Sequence, residues 1–225
     1  MAKGARGGKR GNPTAVNKAQ EIKSFESKYG ITISKDLKNM TTDNLYNATQ
    51  RVAEIIDEYP GYFDEVKDMK EYNQANTYAA MSVNGRTLYL NPKFYDNPTT
   101  MERTYKYDVS TKWHPDGTTY NDIIVHELGH AVSFKIARNN LQGYESANAS
   151  LVNKAAEEIR ANSKSYGYAR KPSEKKLRTE ISRYATKNYS ETVAEAFADY
   201  HANKENAKPL SKAIMKEIDK AMNKK

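Results

Sequence analysis

Five consecutive residues, His126-Glu127-Leu128-Gly129-His130, set two imidazoles and a carboxylate at a spacing that can do chemistry. On an α-helix, residues four apart lie about 40° apart around the axis, with Cβ atoms roughly 5–6 Å apart. Both imidazoles can then reach one Zn²⁺ from the same face. Glu127 projects from the same turn, where it can take a proton from a metal-activated water and pass it to a leaving amine. The chain has only 4 histidines, and two of them are here. Chance places the pattern in a chain of this size well under ~1% of the time. The bland alternative is a pair of surface histidines on an amphipathic helix.

The neighbouring residues predict that helix. Thr118-Thr119-Tyr120-Asn121-Asp122 offers N-cap residues and an acid for the first turn. Ile124, Leu128, Ala131 and Phe134 form one apolar side, and Val125, Val132 and Ile136 widen it, so most faces should be buried. Gly129 costs about 1 kcal/mol relative to Ala inside a helix, which points to close approach of another element. Asn139-Asn140 and Gly143 end the run.

An open catalytic zinc site needs three protein ligands, so one more must come from elsewhere. The segment Asn188 to Tyr200 reads as a second helix, capped by Asn188 or Ser190, with Val193, Ala194, Phe197 and Ala198 as its apolar stripe. Glu191 and Glu195 on it are an i,i+4 pair. Glu191 can bind the metal while Glu195 holds a liganding histidine by its second nitrogen, a common use of outer carboxylates. The competing reading is two ordinary solvated glutamates.

Together, His126-Glu127-Leu128-Gly129-His130 and Glu191-Thr192-Val193-Ala194-Glu195-Ala196-Phe197 resemble the gluzincin zinc metallopeptidases of the anthrax lethal factor type. That family's second motif has the form E-x-x-A-E-A-F, and its first Glu binds zinc, which the resemblance carries to Glu191. A tyrosine seven residues before this Glu assists the transition state in the family, and Tyr184 stands there. The resemblance spans about residues 75–203, with motifs only in its C-terminal half, and implies a phage-encoded peptidase. A phenol can donate to the oxyanion that forms at an attacked carbonyl. With 17 tyrosines in the chain, the spacing is what singles out Tyr184.

The other two histidines read differently. His114, in the turn-rich loop Lys112-Trp113-His114-Pro115-Asp116-Gly117, can line the cleft but is expected to be exposed. His201 is about 280° around the helix from Glu191 and is expected on the surface, facing away.

At 225 residues, 38% hydrophobic and 28% charged, the chain suits one domain with a modest core. It has no cysteine, which excludes thiolate ligands, a thiol nucleophile and disulfides. No apolar run has the length of a membrane helix, and no signal-peptide segment opens the chain, so the expectation is a cytoplasmic protein without membrane insertion. A virion location is the variant if it is phage-encoded. Lys3, Arg6, Lys9, Arg10 and Lys18, with four glycines and Pro13, make residues 1–20 a flexible basic tail that holds +5 of the net +8. Such a tail can touch nucleic acid or an acidic partner weakly; more often it only aids solubility.

Residues 21–225 read as a single domain, with an N-terminal lobe over about 21–118 and a helical zinc-binding lobe over about 119–225. Helices are expected near 17–28, 42–58, 145–165, 173–185, 190–203 and 208–222, and a short strand at Ile31-Thr32-Ile33. Tyr78 to Val83, Asn84-Gly85 and Arg86 to Leu90 predict a hairpin with a type I′ turn. Its edge can pair with an extended peptide, or serve only as core support. The expected fold is α+β and zincin-like, mostly helical with a small sheet. The expected function is a zinc-dependent endopeptidase acting on a protein or peptide, with one Zn²⁺ per chain. One alternative is a repressor-cleaving peptidase, for which a helix-turn-helix is missing. The other is a phage virion or DNA-associated protein with a structural or residual zinc site.

Overall fold

The structure, a computed structural model, describes residues 15–35, 37, 40–60, 63–69 and 76–222. The chain runs through α1 (Ala15–Tyr29), β1 (Thr32–Ile33), α2 (Thr42–Glu58), β2 (Glu65–Asp68), β3 (Ala79–Met81) and β4 (Thr87–Leu90). There follow α3 (Pro92–Tyr95), α4 (Pro98–Ser110), α5 (Asp122–Asn139), α6 (Tyr144–Ala161), α7 (Glu174–Ile181), α8 (Tyr189–Asn203) and α9 (Pro209–Ala221). It is a mostly helical α+β fold with a small mixed sheet.

The sheet order is β1-β2-β4-β3, with β3 antiparallel to β4 and the other pairs parallel. Strand β3 is therefore an edge, and it packs on α5. Leu88 and Leu90 on β4 and Val66 on β2 turn inward to a core shared with Val52 and Ile55 of α2 and Ile124 and Leu128 of α5. Helix α5 lies against α8, and α6, α8 and α9 pack on one another. No helix among the described residues is long and apolar enough to cross a membrane.

Several local expectations need correction. Residues 15–20 begin α1 instead of continuing a flexible tail: beyond Pro13 no glycine or proline interrupts the run, and Lys18 Nζ sits 3.0 Å from Asp43 Oδ1 of α2. Residues 1–14 lie outside the described residues. The hairpin has a four-residue loop, Val83 to Arg86, instead of a two-residue type I′ turn. A type I′ turn needs positive φ at both central residues, and Gly85 (φ 68°) has it while Asn84 does not. The Ser82 hydroxyl stabilises the wider loop by accepting from Arg86 N (3.1 Å) and Thr87 N (2.9 Å). Nor does a side chain cap α5 from Asn121. Asp122 instead reaches back to Thr119 N at 2.8 Å and pairs with Arg51 of α2 at 2.6 Å, pinning the start of α5 to the N-terminal half.

Candidate metal centre

Helix α5 carries His126, Glu127 and His130 through the middle of the molecule. Of these, His126 and Glu127 are buried and His130 is partly so. Helix α8 approaches α5 closely because the residues between them are small. A Cβ placed on Gly129 would stand 3.0 Å from Phe197 Cβ and 3.1 Å from the Ala194 backbone. This contact explains a glycine that helix propensity disfavours, and it brings Glu191, one turn before Ala194, opposite the two histidines. Replacing Gly129 by Ala adds a methyl where Ala194 Cα cannot rotate away. Overpacking of this kind costs about 1–3 kcal/mol, against about 1 kcal/mol gained in helix propensity. The expected net loss in denaturant unfolding of the metal-free protein is about 1 kcal/mol, and the wider helix spacing should also weaken metal binding.

Asn188 caps α8: its side chain accepts from Glu191 N at 2.8 Å and from the Ser190 hydroxyl at 2.8 Å. That cap fixes Glu191 in the first turn with its carboxylate facing α5. Glu191 Oε2 lies 3.2 Å from His126 Nε2 and 3.4 Å from His130 Nε2. One ligand atom from each of the three residues falls within 4.8 Å of the others, so His126, His130 and Glu191 form a group able to hold a metal ion.

The far side of each imidazole is anchored. His126 Nδ1 lies 2.8 Å from Glu195 Oε1, and His130 Nδ1 lies 2.8 Å from the Tyr144 hydroxyl. Tyr144 is itself fixed by stacking on Phe134, with ring centroids 3.6 Å apart. Such partners on the second nitrogen hold a ligand's tautomer and orientation. Glu195 is 1% exposed and saturated. Its Oε1 also meets His114 Nδ1 at 3.0 Å, and its Oε2 accepts from the Ser182 hydroxyl at 2.7 Å. Burial opposes ionisation of Glu195, but its contacts with His114 and His126 override burial and hold its carboxyl down to about 2. An ionised carboxylate only accepts, so His114 presents Nδ1–H to it, whereas His126 Nδ1, although 2.8 Å from Oε1, is not in hydrogen-bond geometry with it. Both nitrogens that remain on the α5 imidazoles, the two Nε2 atoms, face Glu191.

The Glu191 carboxylate is the test of fit for a cation. Burial opposes its charge, yet the His126 and His130 contacts hold its carboxyl well below the usual range. Its Oε2 is shut off from solvent and receives no hydrogen bond of acceptable geometry, although both Nε2 atoms converge on it. Burial alone would lower the His126 pKa, and its two carboxylate neighbours raise it well above the ordinary imidazole value. Two nitrogens and an orphaned carboxylate oxygen aimed at one another call for positive charge between them. With nitrogen and oxygen donors and no thiolate, the set suits a divalent transition metal such as zinc.

A cleft of about 600 Å³ opens beside this group, lined by His126, Glu127, His114, Trp113, Phe94 and Tyr184 among others. Tyr184 sits in a 3₁₀ turn (Tyr184–Thr186). Its amide donates to Trp113 O at 3.1 Å, and its hydroxyl donates to Glu191 Oε1 at 3.3 Å. Burial first, then the Glu191, Glu127 and Glu195 charges, push its pKa up, so it stays a protonated donor. Glu127 Oε2 accepts from the Met81 amide of β3 at 2.6 Å.

Structure thus brings His126, Glu127, His130, Tyr184, Glu191 and Glu195 to one place. Two residues stand apart from expectation. His114 is not an exposed loop residue: it is half-buried, stacked on Tyr105 with centroids 5.0 Å apart, and joined to Glu195. His201 does face away from the centre but is 7% exposed, packed against Phe197 at 4.5 Å between ring centroids. Tyr59 and Glu58, at the end of α2, also lie against His201 and cover this side of α8. No sequence motif marks Tyr144 or Ser182, and each acts across a turn or loop. No protein-family model matches this chain, and no curated protein or solved structure matches it.

Proposed function

We propose that the protein is a zinc-dependent endopeptidase with a zincin-like fold, resembling the lethal factor type of gluzincin. The observation that carries this reading is the convergence of His126 Nε2, His130 Nε2 and Glu191 Oε2 beside a cleft that Glu127 and Tyr184 also line. His126, His130 and Glu191 would hold the metal, with Glu195 and Tyr144 keeping the imidazoles oriented. When bound, zinc supplies a Lewis acid that polarises the scissile carbonyl and makes water acidic enough to attack at neutral pH. Glu127 takes the proton from the attacking water and delivers it to the departing amine. The Tyr184 hydroxyl leaves Glu191 and donates to the oxyanion. The peptide lies extended along the free edge of β3, where Ala79 lines the cleft.

The test is cleavage of a denatured protein or random-peptide pool, with and without chelator. Chelator-sensitive cleavage supports the reading; its absence, with the metal bound, favours a structural site. Tyr184→Phe should keep fold and metal and lower kcat by about 10²–10³-fold, as loss of an oxyanion donor does, with KM nearly unchanged. An equal fall in substrate affinity would place Tyr184 in ground-state binding instead.

A further inference from the structure

The base itself has a support that no motif reveals. In the β3–β4 ladder, Ser82 N donates to Thr87 O at 2.9 Å and Asn91 N donates to Tyr78 O at 3.0 Å. Antiparallel ladders alternate, so Tyr78, Ala80 and Ser82 direct their backbone groups toward β4. Ala79 and Met81 direct theirs to the free edge. The Met81 amide is the last outward-facing donor of β3, and Glu127 Oε2 receives it at 2.6 Å. Among the described residues Glu127 accepts no other hydrogen bond.

The distance between strand and helix is fixed independently of this bond. Gly85 packs so closely on α5 that a Cβ there would fall 2.7 Å from Phe134 Cβ, and Arg138 Nη1 of α5 donates to Asn84 O at 2.5 Å. The hairpin loop is therefore clamped to α5 two to three turns beyond Glu127, and β3 is carried with it.

We propose that Met81 is a positioning residue whose backbone N–H holds the Glu127 carboxylate in place for proton transfer. The role rests on the peptidase reading; the bond itself does not. One edge strand then serves twice: Ala79 offers its backbone to the extended peptide, and the next outward-facing residue sets the base beside it. The role belongs to the backbone N–H at position 81, not to the side chain.

Because the Met81 amide makes no ladder bond, it can be removed without unpairing β3 from β4. Proline is tolerated on edge strands at such positions. A backbone ester, made by incorporating the α-hydroxy acid analogue of methionine at position 81, removes the N–H and otherwise only weakens the Ala80 carbonyl as an acceptor toward β4. Two measurements decide the proposal. First, hydrogen exchange of the Met81 amide in the metal-free protein should accelerate at least about 10-fold in Glu127→Ala, with the Ser82 and Asn91 amides unchanged, since an outward edge amide without a partner is open to solvent. No acceleration overturns the bond. Second, in the zinc-loaded protein the ester should lower kcat by about 10–100-fold, the scale of a small misplacement of a reacting group. KM and bound zinc should be unchanged, and Met81→Pro should follow the ester. Exchange that accelerates while the ester turns over like wild type overturns the positioning role. If wild type cleaves nothing, the peptidase reading fails and with it the catalytic role of Met81, while the exchange result still decides whether Met81 holds Glu127.

Discussion

Glu127→Gln is expected to lower turnover by about 10²–10⁴-fold while zinc stays bound. The amide keeps the length and shape of the side chain, and its oxygen can still accept the Met81 N–H that Glu127 Oε2 accepts at 2.6 Å. What it cannot do is take a proton from water. Glu127 is not among the three residues whose ligand atoms converge, so metal affinity should move little. Turnover of a peptide pool, metal content and thermal melting of the variant check this together. Cleavage by the variant at the wild-type rate would assign the activity to other groups or to a contaminant.

His126→Ala or His130→Ala should abolish stoichiometric zinc binding and all chelator-sensitive cleavage. Each removes one of three donors. His126→Ala also strips a partner from both the part-buried Glu191 and the buried Glu195, carboxylates whose histidine contacts favour the ionised form. The metal-free protein should then be less stable than metal-free wild type, by less than a wholly unpaired buried charge would cost, because His114 still faces Glu195 and His130 still faces Glu191. His130→Ala strips a contact from Glu191 alone and should destabilise less. In wild type, zinc at about 1,000 times its Kd should raise unfolding free energy by about 4 kcal/mol, and that increment should vanish in both variants. A zinc-dependent rise in Tm that survives in both would place the metal elsewhere.

The metal group was legible because helices convert spacing into geometry. His126 and His130 are one turn apart, Glu191 and Glu195 likewise, and the small residues Gly129, Ala194 and Ala198 announced where two helices meet. The gross helix pattern was legible for the same reason: apolar stripes marked α5 and α8, and the same periodicity marked α2. What escaped was carried by sequence-distant contacts or by polar elements. His114 meets Glu195 across 81 residues, through a loop held by the Arg183 and Tyr184 amides, which donate to the Lys112 and Trp113 carbonyls. Strand β2 hid because Asp68 occupies one of its two buried positions beside Val66. Helix α4 buries only Met101 and Tyr105, too thin a stripe to read. Its start was nonetheless written in Asn97 and Pro98, a cap followed by a proline in the first turn. The Asn84-Gly85 pair marked the hairpin correctly, but the Ser82 hydroxyl decided the loop.

Metal stoichiometry of the wild-type protein tests the central claim most directly. Protein purified with supplemental zinc, stripped of loose metal and analysed for elemental content alongside His126→Ala, should carry one equivalent of zinc per chain, and the variant none. A wild-type protein without stoichiometric metal, or a His126→Ala variant that retains it, would contradict a metal centre at His126, His130 and Glu191.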